Sequence, residues 1–151
     1  ILTGLRAYPV RHAHLDEIDG DIWTNPGEKM KGRKGKAPDF RMPLKSEAFH
    51  VIELASQQRW DSYIFPGVKR GVLSDASMAR LMERRGLEAR PHGFRSTLRV
   101  WLTESQQASR EVAETIIAHQ TGSLTERAYN RTDFLEQRRE LMEAWERFLR
   151  A

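Results

Sequence analysis

The chain has 151 residues, of which 39% are hydrophobic and 30% are charged, enough apolar material for the core of one domain. It contains no cysteine, which excludes disulfides and cysteine-bound zinc, and no apolar run approaches the roughly 18 residues of a membrane span. The formal charge of +4 and the pI near 9.7 fit either ordinary solubility or a polyanionic partner such as nucleic acid.

The first quarter of the chain is predicted to combine short helices with a small sheet. Residues 1–18 are predicted as helix, turn, helix, with Pro9 in a first helical turn where its missing N–H is not needed. Asp19 and Gly20 then form a turn, and residues 22–24 are a short strand. The opening sequence ILTGLR lacks an initiator methionine and starts with apolar residues, so we expect a C-terminal piece of a longer protein.

A second strand is predicted from alternation, since Phe40, Met42 and Leu44 are separated by polar residues or proline. Pro43 cannot donate to a ladder, so it marks an edge or the end of a strand. The stretch from residue 27 to residue 45 carries seven basic residues and two acidic ones. We therefore predict a small antiparallel sheet with a basic connection.

From residue 46 onward the apolar spacing is helical. The fold class is accordingly mostly α with a small antiparallel sheet (α+β). The first predicted helix starts at Ser46, and the second is capped by Ser74 and Asp75 and ends at Gly86. The third starts at Pro91 and has an apolar stripe of Phe94, Leu98, Trp101 and Leu102, and the fourth covers residues 112–117. The last is capped near Thr132 and Asp133, with Glu136 completing a capping box.

The stretch HGFR is the first candidate for chemistry. Its histidine and arginine are three residues apart at the start of a helix, so both can present donors to one point. Alone, such a pair is more often an ordinary surface pair. The chain contains four further residues of suitable chemistry: an arginine after a glycine break, a lysine in the basic connection, a histidine that ends an apolar helix and a tyrosine in a polar segment. The set is Arg6, Lys31, His92, Arg95, His119 and Tyr129.

The motifs TGLR, MKGR ahead of FRMPL, HGFR, IIAHQTG and AYNRTDFLEQRRELMEAW occur in that order over essentially the whole chain. This ordered set resembles the catalytic domain of tyrosine recombinases, in particular prophage and genomic-island integrases. By position, the resemblance implies the following roles: Arg6 is the first catalytic arginine, Lys31 the lysine of the β turn, His92 and Arg95 the HxxR pair, His119 the position that is His or Trp, and Tyr129 the nucleophile.

What the resemblance implies is site-specific recombination through a covalent 3′-phosphotyrosine, for integration or excision of a mobile element. It implies one catalytic domain over residues 1–151, with the N-terminal core-binding and arm-binding regions absent. The expected partners are double-stranded DNA at attachment sites, further copies in a tetramer on DNA, and accessory DNA-bending or excision proteins. No metal, cofactor, ATP or membrane is expected, and the expected location is the bacterial cytoplasm, with the nucleoid.

The sequence departs from the family pattern after the first arginine, where Pro9 stands in place of the usual acid. Rival interpretations are a catalytically inactive DNA-binding module of the same fold and a type IB-like topoisomerase. A metal site is not favoured, because His12 and His14 would diverge on a helix. The basic connection leaves the identity of the acid lysine open. Its predicted phosphate contacts are Lys29, Arg33, Lys34 and Lys36.

Overall fold

A computed structural model of the chain describes residues 1–30, 37–58, 61–69, 71–119 and 132–151. Within these ranges it contains six α-helices and one three-stranded antiparallel sheet, which confirms the mostly α class with a small sheet. The helices are α1 (Ala7–Arg11), α2 (Ser46–Gln57), α3 (Ser77–Arg84), α4 (Gly93–Glu104), α5 (Arg110–Ile116) and α6 (Leu135–Arg150). The strands are β1 (Ile18–Asp19), β2 (Ile22–Asn25) and β3 (Phe40–Pro43).

The sheet has the order β1-β2-β3, so β2 is central. Gly20, with a φ of +54°, helps to form the tight turn between β1 and β2. Trp23 pairs with Met42 across β2 and β3, and both side chains are buried because they share the inner face of the sheet. Pro43 ends the edge strand β3, as the sequence predicts.

For residues 1–18 the predicted first helix, with Pro9 in its first turn, is confirmed, but the predicted second helix is wrong. The structure has a single five-residue helix, α1, followed by a 3-10 turn at Leu15–Glu17 and by strand β1 from Ile18. The side chain of Glu17 accepts hydrogen bonds from the indole N–H of Trp23, at 3.0 Å, and from the backbone N–H of His14, at 3.4 Å. The contact with Trp23 ties the 3-10 turn to the sheet, where the sequence predicts a second helix.

Among the residues that the structure describes, two apolar clusters form the core. One joins the sheet to the first turn of α2, and the other lies between α4, α5 and α6. Leu98, Trp101 and Leu102 are buried in the second cluster, which confirms three of the four residues of the predicted stripe of α4, and Phe94 is partly exposed. Trp145 is also core, whereas Phe148 is half exposed at the end of α6.

Helix α6 is held against the sheet by a buried arginine. Arg138 donates to the carbonyl oxygens of Arg41, at 2.5 Å, and Asp133, at 3.2 Å, and its guanidinium lies 4.5 Å from the ring centre of Phe40. The predicted capping box is wrong: the N-cap is Phe134, in the left-handed region, with no side-chain cap. The Asp133 carboxylate instead accepts two hydrogen bonds from Arg41, at 2.9 and 3.0 Å. This pairing ties the start of α6 to β3.

At its other end α6 caps helix α2. The buried Glu146 carboxylate accepts hydrogen bonds from the Ser46 hydroxyl, at 2.5 Å, and from the Glu47 backbone N–H, at 3.0 Å. These groups lie in the first turn of α2, where a negative charge is stabilised by the free N–H groups and the helix dipole. Within the described ranges, none of the helices has the length and apolar character required to cross a bilayer.

Candidate active site

The turn that ends α5 organises the candidate site. Ala118 is left-handed, with a φ of +50°. Its backbone N–H donates to Thr115, and the His119 N–H donates to Glu114, both at 2.8 Å. This pair of bonds is the Schellman arrangement, which closes a helix and turns the carbonyls of its last residues away from the helix axis. The carbonyls of Ile117 and Ala118 thereby become acceptors for groups from elsewhere in the chain.

Two arginines from distant elements bind this turn. Arg95, from the first turn of α4, donates through Nη2 to the carbonyl oxygen of Ile117 at 2.6 Å and through Nη1 to that of Gly4 at 2.5 Å. Arg6, just ahead of α1, donates through Nη1 to the carbonyl oxygen of Ala118 at 3.2 Å. The two guanidiniums are therefore fixed on neighbouring peptide groups.

The charges of the two arginines act on one another. Burial of the side chain, together with the nearby positive charge of Arg6, lowers the pKa of Arg95 to about 10, against the opposing effect of Glu114. Arg95 still carries its charge at neutral pH. Two like charges this close are stabilised by an anion placed between or beside them, so the pair is suited to a ligand with negatively charged oxygens.

Helix α4 and Arg95 pack so closely against Gly4 that a residue with a side chain would not fit there. Its φ is +61°, and a Cβ built there would lie 2.5 Å from Cδ2 of Leu98, a fully buried side chain. The glycine of TGLR thus lets its own carbonyl reach the guanidinium of Arg95 while the backbone packs against α4.

His119 contacts a buried carboxylate that is also paired with Arg99. Its Nδ1 lies 2.6 Å from Oε2 of Glu114, and Oε1 of the same carboxylate accepts a hydrogen bond from Nε of Arg99 at 2.5 Å. Burial acts to raise the pKa of the Glu114 carboxyl, but the hydrogen bonds and charges of Arg99 and His119 outweigh it and hold the pKa below its ordinary value. Glu114 is therefore ionised at neutral pH.

Acid should weaken the contribution of Glu114 to folding. Because its pKa is depressed in the folded state, its stabilisation is complete above the ordinary value of 4.5 and is lost as the pH falls through the folded value. We expect Glu114→Gln to reduce the free energy of unfolding by about 1–3 kcal/mol at pH 7, since it removes the charge from two hydrogen bonds. The deficit should shrink below pH 4.5 in urea denaturation series. For the exposed Glu111→Gln on the same helix, the deficit should be small at every pH, and a pH-independent deficit at Glu114 would contradict the assignment.

A cleft of about 360 Å³ opens beside this turn. Arg6 and Ala118 line it together with the half-exposed ring of Tyr8, which stacks on His12 with the ring centres 3.9 Å apart. Pro9, at the position of the departure from the family pattern, is also part of its wall, as are Glu28, Lys29 and Met30. The cleft thus joins Arg6 to the first residues of the basic connection.

Lys29 differs from the exposed phosphate contact that the sequence predicts. Its ammonium forms an ion pair with Glu17 and donates to the carbonyl oxygen of His12 at 2.5 Å, and only 12% of its side chain is exposed. A lysine held in this way reaches a ligand only through the wall of the cleft. Its role as a DNA contact stays a prediction.

His92 lies at the start of the helix that carries Arg95. It is the N-cap residue of α4, its carbonyl oxygen accepts a hydrogen bond from the Arg95 N–H at 3.2 Å, and its side chain is exposed. The structure therefore brings Arg6, Arg95 and His119 to one turn and places His92 at the N-cap of α4, three residues before Arg95. Five further candidates lie outside the described residues: Lys31, Arg33, Lys34, Lys36 and Tyr129.

Sequence reasoning missed Glu114 and Arg99. The available signal was the glutamate inside the apolar run VAETII, because a charged residue within a buried stripe must be paired. Among the residues that the structure describes, no group of three or more histidines and carboxylates is arranged to hold a metal ion. The described site is thus a cationic turn with an oriented imidazole.

Comparison with known proteins gives a consistent result. The model of the phage integrase family matches residues 1–136. The chain is similar to prophage integrase IntA of Escherichia coli (strain K12), with 30% identity over 158 residues, which cover 100% of the chain and 37% of that protein. It is similar to prophage integrase IntZ of the same strain, with 30% identity over 95% of the chain and 36% of that protein. The chain thus spans little more than a third of these relatives, and no solved structure gives a significant match.

Proposed function

Because this chain belongs to the phage integrase family, we propose that it cleaves and rejoins double-stranded DNA in site-specific recombination, as part of the integration or excision of a mobile element. The observation that carries the proposal is the convergence of Arg6, Arg95 and His119 on the turn that ends α5. Three cationic or polar side chains from three parts of the sequence meet there, an arrangement suited to binding one phosphate.

In the proposed reaction the phenolic oxygen of Tyr129 attacks the scissile phosphorus. A bond forms between this oxygen and phosphorus, the bond from phosphorus to the 5′-oxygen breaks, and the tyrosine stays joined to the 3′-phosphate. The leaving 5′-oxygen takes a proton from Lys31, and His92 accepts the proton of the phenol. Attack by the 5′-hydroxyl of another strand reverses these steps and joins new partners, so the energy of the bond is conserved without ATP.

Arg6 and Arg95 are proposed to bind the non-bridging oxygens of the phosphate, where negative charge accumulates in the transition state. Guanidiniums suit this task because they are planar and permanently charged and can offer two donors to one anion. Their hydrogen bonds to Gly4, Ile117 and Ala118 support the proposal, since donors fixed before the substrate binds need no reorganisation during the reaction.

Lys31 is preferred to Lys29 as the acid that protonates the leaving group. Lys29 is already paired with Glu17, which holds its ammonium in the wall of the cleft. Met30 lines the same cleft as Arg6, so the chain enters the basic connection beside the proposed phosphate site.

The partners are proposed on the same basis. The residues proposed to contact the DNA backbone are Arg33, Lys34 and Lys36, together with Lys29 at the start of the basic connection. These contacts would add affinity without sequence preference. A tetramer on two duplexes and accessory proteins that bend DNA or direct excision complete the proposal. We place the reaction in the cytoplasm, on the nucleoid.

The test is trapping of the covalent intermediate. Duplexes of randomised sequence with a nick on one strand release a short 5′-hydroxyl fragment after cleavage, so the adduct cannot be resealed and survives SDS. We expect the unmodified protein to form this adduct, Tyr129→Phe to form none, and Tyr63→Phe, which alters a tyrosine packed on His14, to form it normally. Sequencing the trapped duplexes then gives the cleavage site.

Other outcomes of the same experiment favour the rivals. DNA binding without an adduct would identify an inactive DNA-binding module. An adduct of no sequence preference, together with relaxation of a supercoiled plasmid in the absence of a partner duplex, would identify a topoisomerase. An adduct that persists in Tyr129→Phe would reject Tyr129 as the nucleophile.

A further inference from the structure

Glu114 contacts His119 from inside the core, with only 4% of its surface exposed, and the family resemblance gives it no part in the reaction. We propose that it is a positioning residue, which holds Nδ1 of His119 so that Nε2 is the ring atom offered to the scissile phosphate. The assignment rests on the proposed function for the identity of the ligand, but the contact between the two side chains stands without it.

The carboxylate of Glu114 is fixed because each of its oxygens has one side-chain partner. Arg99 donates to Oε1 at 2.5 Å, and Nδ1 of His119 is 2.6 Å from Oε2. The Arg99 side chain is 41% exposed, so it neutralises the buried charge from the solvent side. A buried carboxylate with both oxygens engaged has little freedom to turn, and it constrains the imidazole that it contacts.

The chemistry of the contact determines which ring nitrogen is free. An ionised carboxylate can only accept a hydrogen bond, so Nδ1 of His119 must carry the hydrogen. In the neutral ring Nε2 is then an acceptor, and in the imidazolium it is a donor. In both forms Nδ1 stays with Glu114, and Nε2 is the atom that can meet a phosphate oxygen, as a donor when the ring is charged.

The backbone strengthens this constraint. The His119 N–H donates to the carbonyl oxygen of Glu114 at 2.8 Å, so the main chain and the ring of His119 are both bound to one residue. The His119 side chain is nevertheless 57% exposed, which leaves ring surface for a ligand. A partner that orients a ligand-binding histidine in this way commonly contributes about 10–100-fold to activity or affinity in metal sites.

The substitution Glu114→Gln changes the tautomer in a definite direction. Arg99 can only donate, so the amide oxygen of the glutamine turns toward Arg99 and its NH2 group turns toward His119. That NH2 group donates to Nδ1, and the neutral ring must then carry its hydrogen on Nε2. Glu111→Gln, an exposed carboxylate on the same helix, is the matched control.

The first readout is NMR of the protein labelled with 15N-histidine, with the His119 signals assigned by their loss in His119→Gln. At pH 8 we expect the Nδ1–H tautomer in the unmodified protein and in Glu111→Gln, and the Nε2–H tautomer in Glu114→Gln. The Nε2–H tautomer in the unmodified protein would overturn the proposal, even if Glu114→Gln fails to fold.

The second readout is the rate of adduct formation on the nicked duplexes. We expect Glu114→Gln to lower this rate about 10–100-fold with little change in duplex affinity. In a His119→Ala background the same substitution should cause no further loss, because Glu114 acts through His119. An equal loss in both backgrounds would show a merely structural role and overturn the proposal.

If the unmodified protein forms no adduct, the proposed function fails, and the tautomer still decides whether Glu114 holds His119.

Discussion

Arg95→Ala is expected to lower both the stability of the domain and the rate of DNA cleavage. The guanidinium of Arg95 satisfies the carbonyls of Gly4 and Ile117, two buried residues. An unsatisfied buried polar group costs about 1–3 kcal/mol, so we expect the free energy of unfolding to fall by about 2–4 kcal/mol. The loss of a preorganised donor at the phosphate should lower the cleavage rate by about 10²–10³-fold.

Arg6→Ala separates the two effects. Arg6 makes one hydrogen bond to the same turn, at 3.2 Å, and is only partly buried. Its loss should lower the cleavage rate about as much as Arg95→Ala while stability changes by less than about 1 kcal/mol. Urea denaturation and the trapping assay, run well below the melting temperature, measure the two quantities. Arg147→Ala, an exposed position on α6, should change neither. Unchanged stability in Arg95→Ala would mean that the two carbonyl contacts are absent in solution.

Gly4→Ala is expected to be the more disruptive of two glycine substitutions with similar backbone conformations. Gly4 and Gly20 have φ values of +61° and +54°, so each pays a left-handed strain of roughly 1–2 kcal/mol on gaining a Cβ. Only at Gly4 does the new atom meet a neighbour, Leu98 Cδ2 at 2.5 Å, and Leu98 has no exposed surface into which to move. Overpacking of this kind adds about 1–3 kcal/mol.

The measurement is the melting temperature of the two variants. For a domain of this size 1 kcal/mol shifts the melting temperature by about 2–4 °C, so Gly4→Ala should lose about 5–15 °C and Gly20→Ala only a few degrees. Gly4→Ala should also slow cleavage, since a shifted Gly4 carbonyl releases Arg95. Equal losses in the two variants would show that only backbone strain matters and that the contact with Leu98 is relieved without cost.

Helices α4 and α5 could be predicted from the sequence because their apolar spacing reflects burial of one face. Leu98, Leu102 and Ile116 have no exposed surface, and each lies in the predicted stripe. The residues 1–18 could not be predicted in the same way. Their structure is set by contacts with distant parts of the chain, such as the hydrogen bond from the Ile64 N–H to the carbonyl oxygen of Ala13, which leave no periodic pattern.

The candidate site was predictable in its composition and less so in its construction. The motifs supplied Arg6, Arg95 and His119, but not the turn that gathers them. Ala118 is left-handed, and alanine gives none of the signal that glycine would give at such a position. The predicted capping box at Thr132 and Asp133 is wrong for a related reason. Asp133 pairs with Arg41, which is ninety-two positions away, and the local sequence around Asp133 gives no sign of so distant a partner.

The buried Arg138 also covers part of the sheet edge formed by β3. β3 is an edge strand, and an unpaired edge is a template for association with a strand of another molecule. The carbonyl oxygen of Arg41, in the middle of β3, is already taken by the guanidinium of Arg138, and α6 packs along the strand. A foreign strand would have to displace a fully buried side chain to add to this edge. The β3 edge is therefore protected against the addition of a strand from another copy of the domain.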